Sequence, residues 1–507
     1  MTPKPAAAAS TGMRFHGAGL RGADAPRSSR TFEGRFGRMF RSLPPAIHEL
    51  GDLDKLATKM MADLEVPKDG PDPEENSGIS AGYTYLGQFI DHDLTFDPVS
   101  SLDRVNDPEA LTDFRTPRFD LDCVYGRGPD DQPYLYQDDG VQMLMGRAIT
   151  GNPLDPNTKD VPRNSAGRAL IGDKRNDENT IVSQMQSAFL RFHNRVFKFL
   201  KDQGEDFSFD EVQRAVRWHY QYVVLNDFLP TIIGKENFQA IFPHGTGDAV
   251  KHPPVLKFYE ARNDGFIPIE FSTAAYRFGH SMVRPDYRLN LTSPRLPIFS
   301  MTGESLLGFR EYPSDRAIDW GLFFKGVKNN VNPATDKERV QPAYKIDTSL
   351  VNPLANLPAP VASNPNSLIL RNLKRGLMMS LPSGQSVARA MGVDPIDDKK
   401  LLVGKATEED MPANNKPITD VSAKFADNAP LWFYILAEAQ QQFKNDKTPL
   451  HLGPAGGRMV GETFAGLLMS DGHSYLRQYP RWKPFPEFTA ADGSFGMAEL
   501  IKQSMLA

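Results

Sequence analysis

At 507 residues the chain exceeds the size at which one simple hydrophobic core stops growing, so it can bury a deep site in one large domain or two. Its 58 Lys and Arg against 63 Asp and Glu leave a mildly acidic balance, without the concentrated basic surface that nucleic acids or anionic membranes favour. A small-molecule partner is therefore expected. The single cysteine, Cys123, excludes an intrachain disulfide, CxxC metal knuckles and CxxCH cofactor attachment, so any metal or cofactor must be held by other side chains.

Residues 1–40 are rich in Ala, Gly, Arg and Ser and show no sustained period, which predicts an arm that lies on the surface or is partly disordered. The start, MTPKPAAAASTGMRFHG, lacks the apolar stretch of a secretory signal, and no later run is long and uncharged enough to span a bilayer. A cytoplasmic address, or secretion by a non-classical route, is expected. Residues 41–507 are predicted to form one domain.

Within it, GYTYLGQFIDHDLTF is expected to be helical. Along TPRFDLDCVYG, Thr116, Arg118, Asp120 and Asp122 alternate, which predicts an extended loop presenting oxygens to one side. In SQMQSAFLRFHNRVFKFLK, the residues Met185, Phe189, Phe192, Val196 and Phe199 recur at helical spacing and predict a long helix with a wide buried face. Long proline-rich connections follow, such as HPPVLKFYEARNDGFIP and RLPIFSMTGESLLGFREYPSD. PLWFYILAEAQQQF then opens a helix on Pro430. Strand-like alternation is scarce and no internal repeat is found, so the expected fold is mostly α, with long loops around a helical core and little β.

The tripeptide Asp91-His92-Asp93 is the most informative stretch. On a helix, successive side chains diverge by about 100°, so these three ionisable groups point in different directions and cannot share one task. Gln88 lies four residues before His92, on the same face, so an amide and an imidazole look into one cavity. Taken alone, the tripeptide is equally a solvated charge cluster at a helix end. Likewise Arg175, in the charged run GDKRNDEN, reads as a surface ion pair with Asp173, Asp177 or Glu178.

In context, GQFIDHDLT resembles a segment of the animal-type haem peroxidases, the peroxidase-cyclooxygenase superfamily that contains myeloperoxidase and lactoperoxidase. Further segments follow in the family's order. GDKRNDEN precedes LRFHNRV, which is similar to the family's LREHNR; AYRFGH resembles FRFGH; LRNLKRGLMMSLPSGQ resembles a segment of bacterial members; and LGPAGGRMVGETFAGLL is family-like. The resemblance runs from about residue 30 to about residue 490.

That resemblance implies haem b held by His280 as proximal ligand, with Asn372 hydrogen bonded to its far nitrogen. It implies His92 as acid/base catalyst, Arg175 as fixed cation and Gln88 as the group that holds a distal water or seats a small anion. Asp91 and Glu178 match the carboxylates that family members esterify to haem methyl groups. Asn179 replaces the methionine that forms a sulfonium bond in one member, so that bond is not expected here. Asp93, Thr116, Arg118 through its carbonyl, Asp120 and Asp122 are similar to the family's calcium loop, with Asp122 in place of a serine. The implied activity is reduction of hydrogen peroxide and oxidation of a small donor (halide, thiocyanate or phenol) through an oxoferryl centre.

Two other functions use the same residues. A fatty-acid dioxygenase of this superfamily needs a radical-forming tyrosine three residues before the proximal histidine, and position 277 is arginine. A non-catalytic haem carrier with His92 and His280 as axial ligands leaves Arg175 and Gln88 without a role. GPAGG at 453–457 lacks the following GK[ST] of a phosphate loop, His193 reads as a packed helix residue, and Met378 and Met379 read as packing.

Overall fold

The computed structural model describes residues 34–507 apart from 66–67, 96–111, 114, 205–206, 262–263, 302, 329–335, 363, 412 and 446. The arm expected over 1–40 lies mostly outside the described residues. Its last residues are built into the fold: the strand Gly34–Gly37 pairs antiparallel with Thr112–Asp113 and parallel with Ile267–Pro268. The buried Glu270 carboxylate accepts the backbone N–H groups of Met39 and Phe40 at 3.0 and 3.1 Å.

Helices dominate. In the first half they are α1 (Leu50–Met60), α2 (Gly82–Leu94), α3 (Asp122–Tyr125), α4 (Thr180–Asp202), α5 (Phe209–Val223), α6 (Leu229–Ile241) and α7 (Ile269–Thr273). In the second half come α8 (Asn352–Ala355), α9 (Leu368–Met378), α10 (Gly384–Ala390), α11 (Ile418–Val421), α12 (Leu431–Gln440), α13 (Pro454–Ser470), α14 (Tyr475–Gln478) and α15 (Met497–Met505). Strands are two to six residues long and form small local ladders, such as Glu75–Ser80 against Pro342–Tyr344. No helix among the described residues is long and apolar enough to cross a membrane.

The predicted helices form for the reasons their sequences give. Asn179 caps α4 by accepting from the N–H groups of Ile181 and Val182 at 3.1 and 2.9 Å, and Pro430 immediately precedes α12. Helix α2 packs on α4 through Phe89 and Phe189, whose rings stack at 4.4 Å and 5°. That contact fixes which side of α2 faces inward.

The segment from Thr116 to Gly126 departs from the extended loop expected of it. Leu121 takes φ 61°, and Asp122 starts the helical turn α3. Strict alternation fails because the chain must turn there to bring Asp120 and Asp122 to one point, and a left-handed residue makes that turn.

Candidate active site

A cavity of about 390 Å³ is bounded by α2, the 3-10 turn Lys174–Asp177, the 3-10 turn Ala275–His280 and α9. Gln88, Asp91, His92, Arg175, Glu178, His280 and Asn372 all line it, together with apolar residues including Ile269, Ile298, Leu354 and Leu357. Seven side chains singled out by sequence thus meet in one place, contributed by segments nearly 300 positions apart. A mostly apolar pocket of this size, with a few convergent polar groups, is what a cofactor requires.

His92 is held by a partner that sequence reasoning missed. Its Nδ1 lies 2.7 Å from Oδ1 of Asn176, whose Nδ2 donates to Oε1 of Gln186 at 2.8 Å. With the amide nitrogen used on Gln186, the oxygen faces the imidazole, so Nδ1 carries the proton and Nε2 keeps its lone pair. Burial, reinforced by the Arg175 charge, lowers the His92 pKa to about 4, and the ring is neutral at neutral pH. The one sequence signal for Asn176 is its place beside Arg175 in GDKRNDEN.

Arg175 forms an ion pair and also lines the cavity. Its guanidinium pairs with Asp173 at 2.8 Å and also donates to the carbonyls of Thr95 and His92 at 2.6 and 3.1 Å, yet it still lines the cavity. The ion pair is the clamp that aims the cation. Burial works against the Asp173 charge, but Arg175 and Arg115 outweigh it and hold that carboxyl below its ordinary range. Asp177 is used elsewhere, paired with Arg163 at 2.7 Å.

The carboxylates of the cavity differ. Asp91 pairs with Nη1 of Arg277 at 3.2 Å; burial opposes its charge, but Arg277 and Arg175 prevail and lower its pKa. For Glu178 burial prevails over Arg175 and Gln88 and raises the pKa to about 7. Gln88 sits between neighbours, donating to Glu178 at 3.3 Å and accepting from Asn179 at 3.2 Å.

His280 ends its 3-10 turn with its pKa lowered to about 3, through burial first and the Arg277 charge second. Nδ2 of Asn372 lies 2.8 Å from its Nδ1. In that orientation the amide donates and Nε2 keeps the proton. A half-turn of the amide presents Oδ1 instead, which accepts from Nδ1–H and frees Nε2 as a metal ligand. A neutral, buried imidazole with such a partner, in an apolar cavity, fits haem.

On the other side of α2, Asp93, Asp120 and Asp122 bring one oxygen each within 4.8 Å of one another. Neither buried Asp93 oxygen has a donor in good hydrogen-bond geometry, although Tyr220, Leu121 and Cys123 face that carboxylate, while Oδ1 of Asp122 is ion-paired with Nη1 of Arg115 at 3.4 Å. Thr116 joins through its hydroxyl, 2.5 Å from Asp120. The Arg118 side chain turns away to Asp471 at 3.7 Å. Burial first, then the neighbouring Asp120, raises the Asp93 pKa to about 8. A buried carboxylate as poorly partnered as Asp93 is costly unless a cation completes it, and oxygens of this kind suit calcium.

The remaining features take structural roles. His193 is packed, with its ring nitrogens 3.0 Å from the Tyr125 hydroxyl and 2.8 Å from the Val141 carbonyl. The glycine-rich start of α13 is occupied by the protein itself: Glu438 accepts from the N–H groups of Ala455 and Gly456 at 3.0 Å.

A family model described as animal haem peroxidase matches residues 103–307. Thyroid peroxidase from Sus scrofa is 28% identical over 300 residues, covering 54% of this chain and 29% of that protein. Peroxinectin A from Dictyostelium discoideum is 24% identical over 290 residues, covering 55% and 48% respectively. The chain thus spans less than half the length of these curated relatives. Among solved structures, Peroxidase A from Dictyostelium discoideum superposes with a TM-score of 0.59 at 18% identity, over 93% of this chain and 92% of that one. A fatty acid alpha-dioxygenase from Oryza sativa gives 0.55 at 13% identity, over 91% and 78%. Motif order, sequence match and helical fold agree: residues 103–307 match the animal haem peroxidase family, and the chain as a whole shares the fold of Peroxidase A from Dictyostelium discoideum.

Proposed function

We propose that the protein is a haem-dependent peroxidase that reduces hydrogen peroxide and oxidises a small donor: a halide, thiocyanate or a phenol. The observation that carries this is the convergence on one cavity of a histidine with a free Nε2, a clamped guanidinium and a second neutral histidine. Haem bound there supplies the redox-active iron that receives the oxidising equivalents of the peroxide. His280 would hold that iron, with Asn372 fixing its ring. His92 Nε2 takes the proton of the incoming peroxide and returns it to the departing oxygen, which leaves as water. Arg175 offsets the negative charge that develops on that oxygen, and its clamp means no reorganisation is needed at that moment. Gln88 seats a water or small anion beside them. Asp91 and Glu178 are the proposed ester tethers to haem methyl groups, and Asp93, Thr116, the Arg118 carbonyl, Asp120 and Asp122 the proposed calcium ligands.

The fatty-acid dioxygenase alternative draws support from the Oryza sativa structure. Against it stands Arg277, at the position where the resemblance requires the radical tyrosine, with its guanidinium committed to Asp91. The test is spectroscopic. Protein purified with haem should give a high-spin ferric spectrum, shift its Soret band on adding peroxide, and consume peroxide when a donor is present. A low-spin, bis-histidine spectrum indifferent to peroxide would overturn the proposal in favour of a haem carrier.

A further inference from the structure

Three tyrosines line the cavity, Tyr83, Tyr85 and Tyr276, and their hydroxyls meet three different environments. The Tyr276 hydroxyl donates to the Gly87 carbonyl at 3.3 Å. The Tyr85 hydroxyl is buried against a second phenol, Tyr287. The Tyr83 hydroxyl donates to Oδ1 of Asp227 at 2.5 Å. Removing an electron from a phenol makes its proton strongly acidic. Neither a carbonyl oxygen nor a second phenol can keep that proton, which leaves a cation stranded in a poorly solvated site. A carboxylate can take it.

Asp227 is held in place to take that proton. It lies in the π-helical turn Val224–Phe228 between α5 and α6, and such turns recur at functional sites because the extra residue re-aims a side chain. Its second oxygen accepts the backbone N–H of Met497 at 2.7 Å, so both of its oxygens act as acceptors. The neighbouring position must be glycine, since a Cβ on Gly496 would sit 2.7 Å from the same carboxylate. Burial raises the Asp227 pKa despite the Tyr83 hydrogen bond, which suits a group that must hold a proton for a time. Phe324 closes over the phenol edge-on at 5.4 Å.

We propose that Tyr83 is a one-electron relay of the cavity, oxidised by peroxide-activated haem while its proton passes to Asp227. This rests on the peroxidase reading above. One electron leaves the phenol and reduces the haem centre by one equivalent; the O–H bond breaks and the proton moves to Oδ1 of Asp227. The products are a neutral phenoxyl radical and a neutral carboxylic acid. A one-electron donor then reduces the radical and Asp227 returns the proton, restoring both groups. Tyr83 thereby stores an oxidising equivalent away from the iron.

The test is rapid-freeze electron paramagnetic resonance of haem-loaded chain mixed with peroxide, made with and without ring-deuterated tyrosine. A radical signal that narrows on deuteration is expected, retained in Tyr276→Phe, lost in Tyr83→Phe and reduced several-fold in Asp227→Asn, which keeps an acceptor but cannot take the proton. A full-strength signal in Tyr83→Phe would overturn the relay. A second arm uses the full chain without haem, oxidised by hexachloroiridate(IV) with a nitroso spin trap and mapped by peptide mass spectrometry. Trapping at Tyr83 ahead of Tyr85 and Tyr276, and diminished in Asp227→Asn, supports the pair; trapping at Tyr85 or Tyr276 first overturns it. Failure to bind haem or consume peroxide would instead sink the peroxidase reading, while the second arm still decides the relay.

Discussion

Helix α2 carries polar groups on two sides, and the two sides differ in how well they are partnered. On the cavity side, His92 has Asn176, Asp91 has Arg277, and Gln88 has Glu178 and Asn179. On the far side, neither Asp93 oxygen has a donor in good hydrogen-bond geometry, and an oxygen each of Asp120 and Asp122 lies within 4.8 Å. The first arrangement is complete from the chain's own atoms and is therefore preorganised for chemistry. The second gathers three carboxylates with Arg115 paired to one of them, an excess of negative charge that the proposed calcium ion would offset. One helix thus borders a well-partnered cavity on one side and an acidic cluster on the other.

Replacing His92 with Ala should break the cavity side most severely. Peroxide consumption is expected to fall by about 10²- to 10⁴-fold in stopped-flow mixing, while the Soret band remains. A full-rate variant would remove the imidazole from the mechanism. Asn176→Ala leaves that imidazole in place and unfixed, so a smaller loss, roughly 10- to 100-fold, is expected in the same assay. If tautomer control is the cause, selective ¹⁵N-histidine spectra should show the His92 proton redistributed between its two nitrogens.

The other side should respond to cation removal rather than to peroxide. A calcium chelator is expected to lower the melting temperature, with about 2.7 kcal/mol of stabilisation recovered at a hundredfold excess of calcium over its Kd. Asp93→Ala should abolish that recovery, and calorimetry that detects no calcium binding to the wild type would refute the assignment. A finer contrast comes from Glu438, which is remote from both sides. Its pKa is raised from 4.5 to about 7 by burial, opposed by its bonds to Gly456 and Ala455. The folded state therefore holds this proton more tightly than the unfolded one, and the associated stability, full below about 4.5, is lost as pH rises through about 7. Urea titrations across that range should show the slope flattened in Glu438→Gln.

Much of this was legible before any coordinates. The helix around His193 follows from apolar spacing, and once the stretch around His92 is taken as helical the divergence of Asp91, His92 and Asp93 follows from helical geometry alone. What sequence could not supply were contacts between distant segments. Asn176 looks like any polar residue in a charged run until the fold brings it to His92, 84 positions away. Asp227 is equally anonymous, since nothing local announces the π-helical turn that points it at Tyr83. The extended reading of the Asp120 and Asp122 segment failed because Leu121 adopts a left-handed conformation, which a leucine does not advertise.

The adjacency of His92 and Asp93 has an engineering consequence. The two side chains leave the helix about 100° apart, so any roll of α2 that draws one toward its partner carries the other away. The helix works as a shared dial, and its setting is a compromise between two anchor points. Neither can be retuned alone: enlarging the ring of carboxylates would be felt as a misaimed imidazole, and crowding the cavity as a distorted carboxylate cluster.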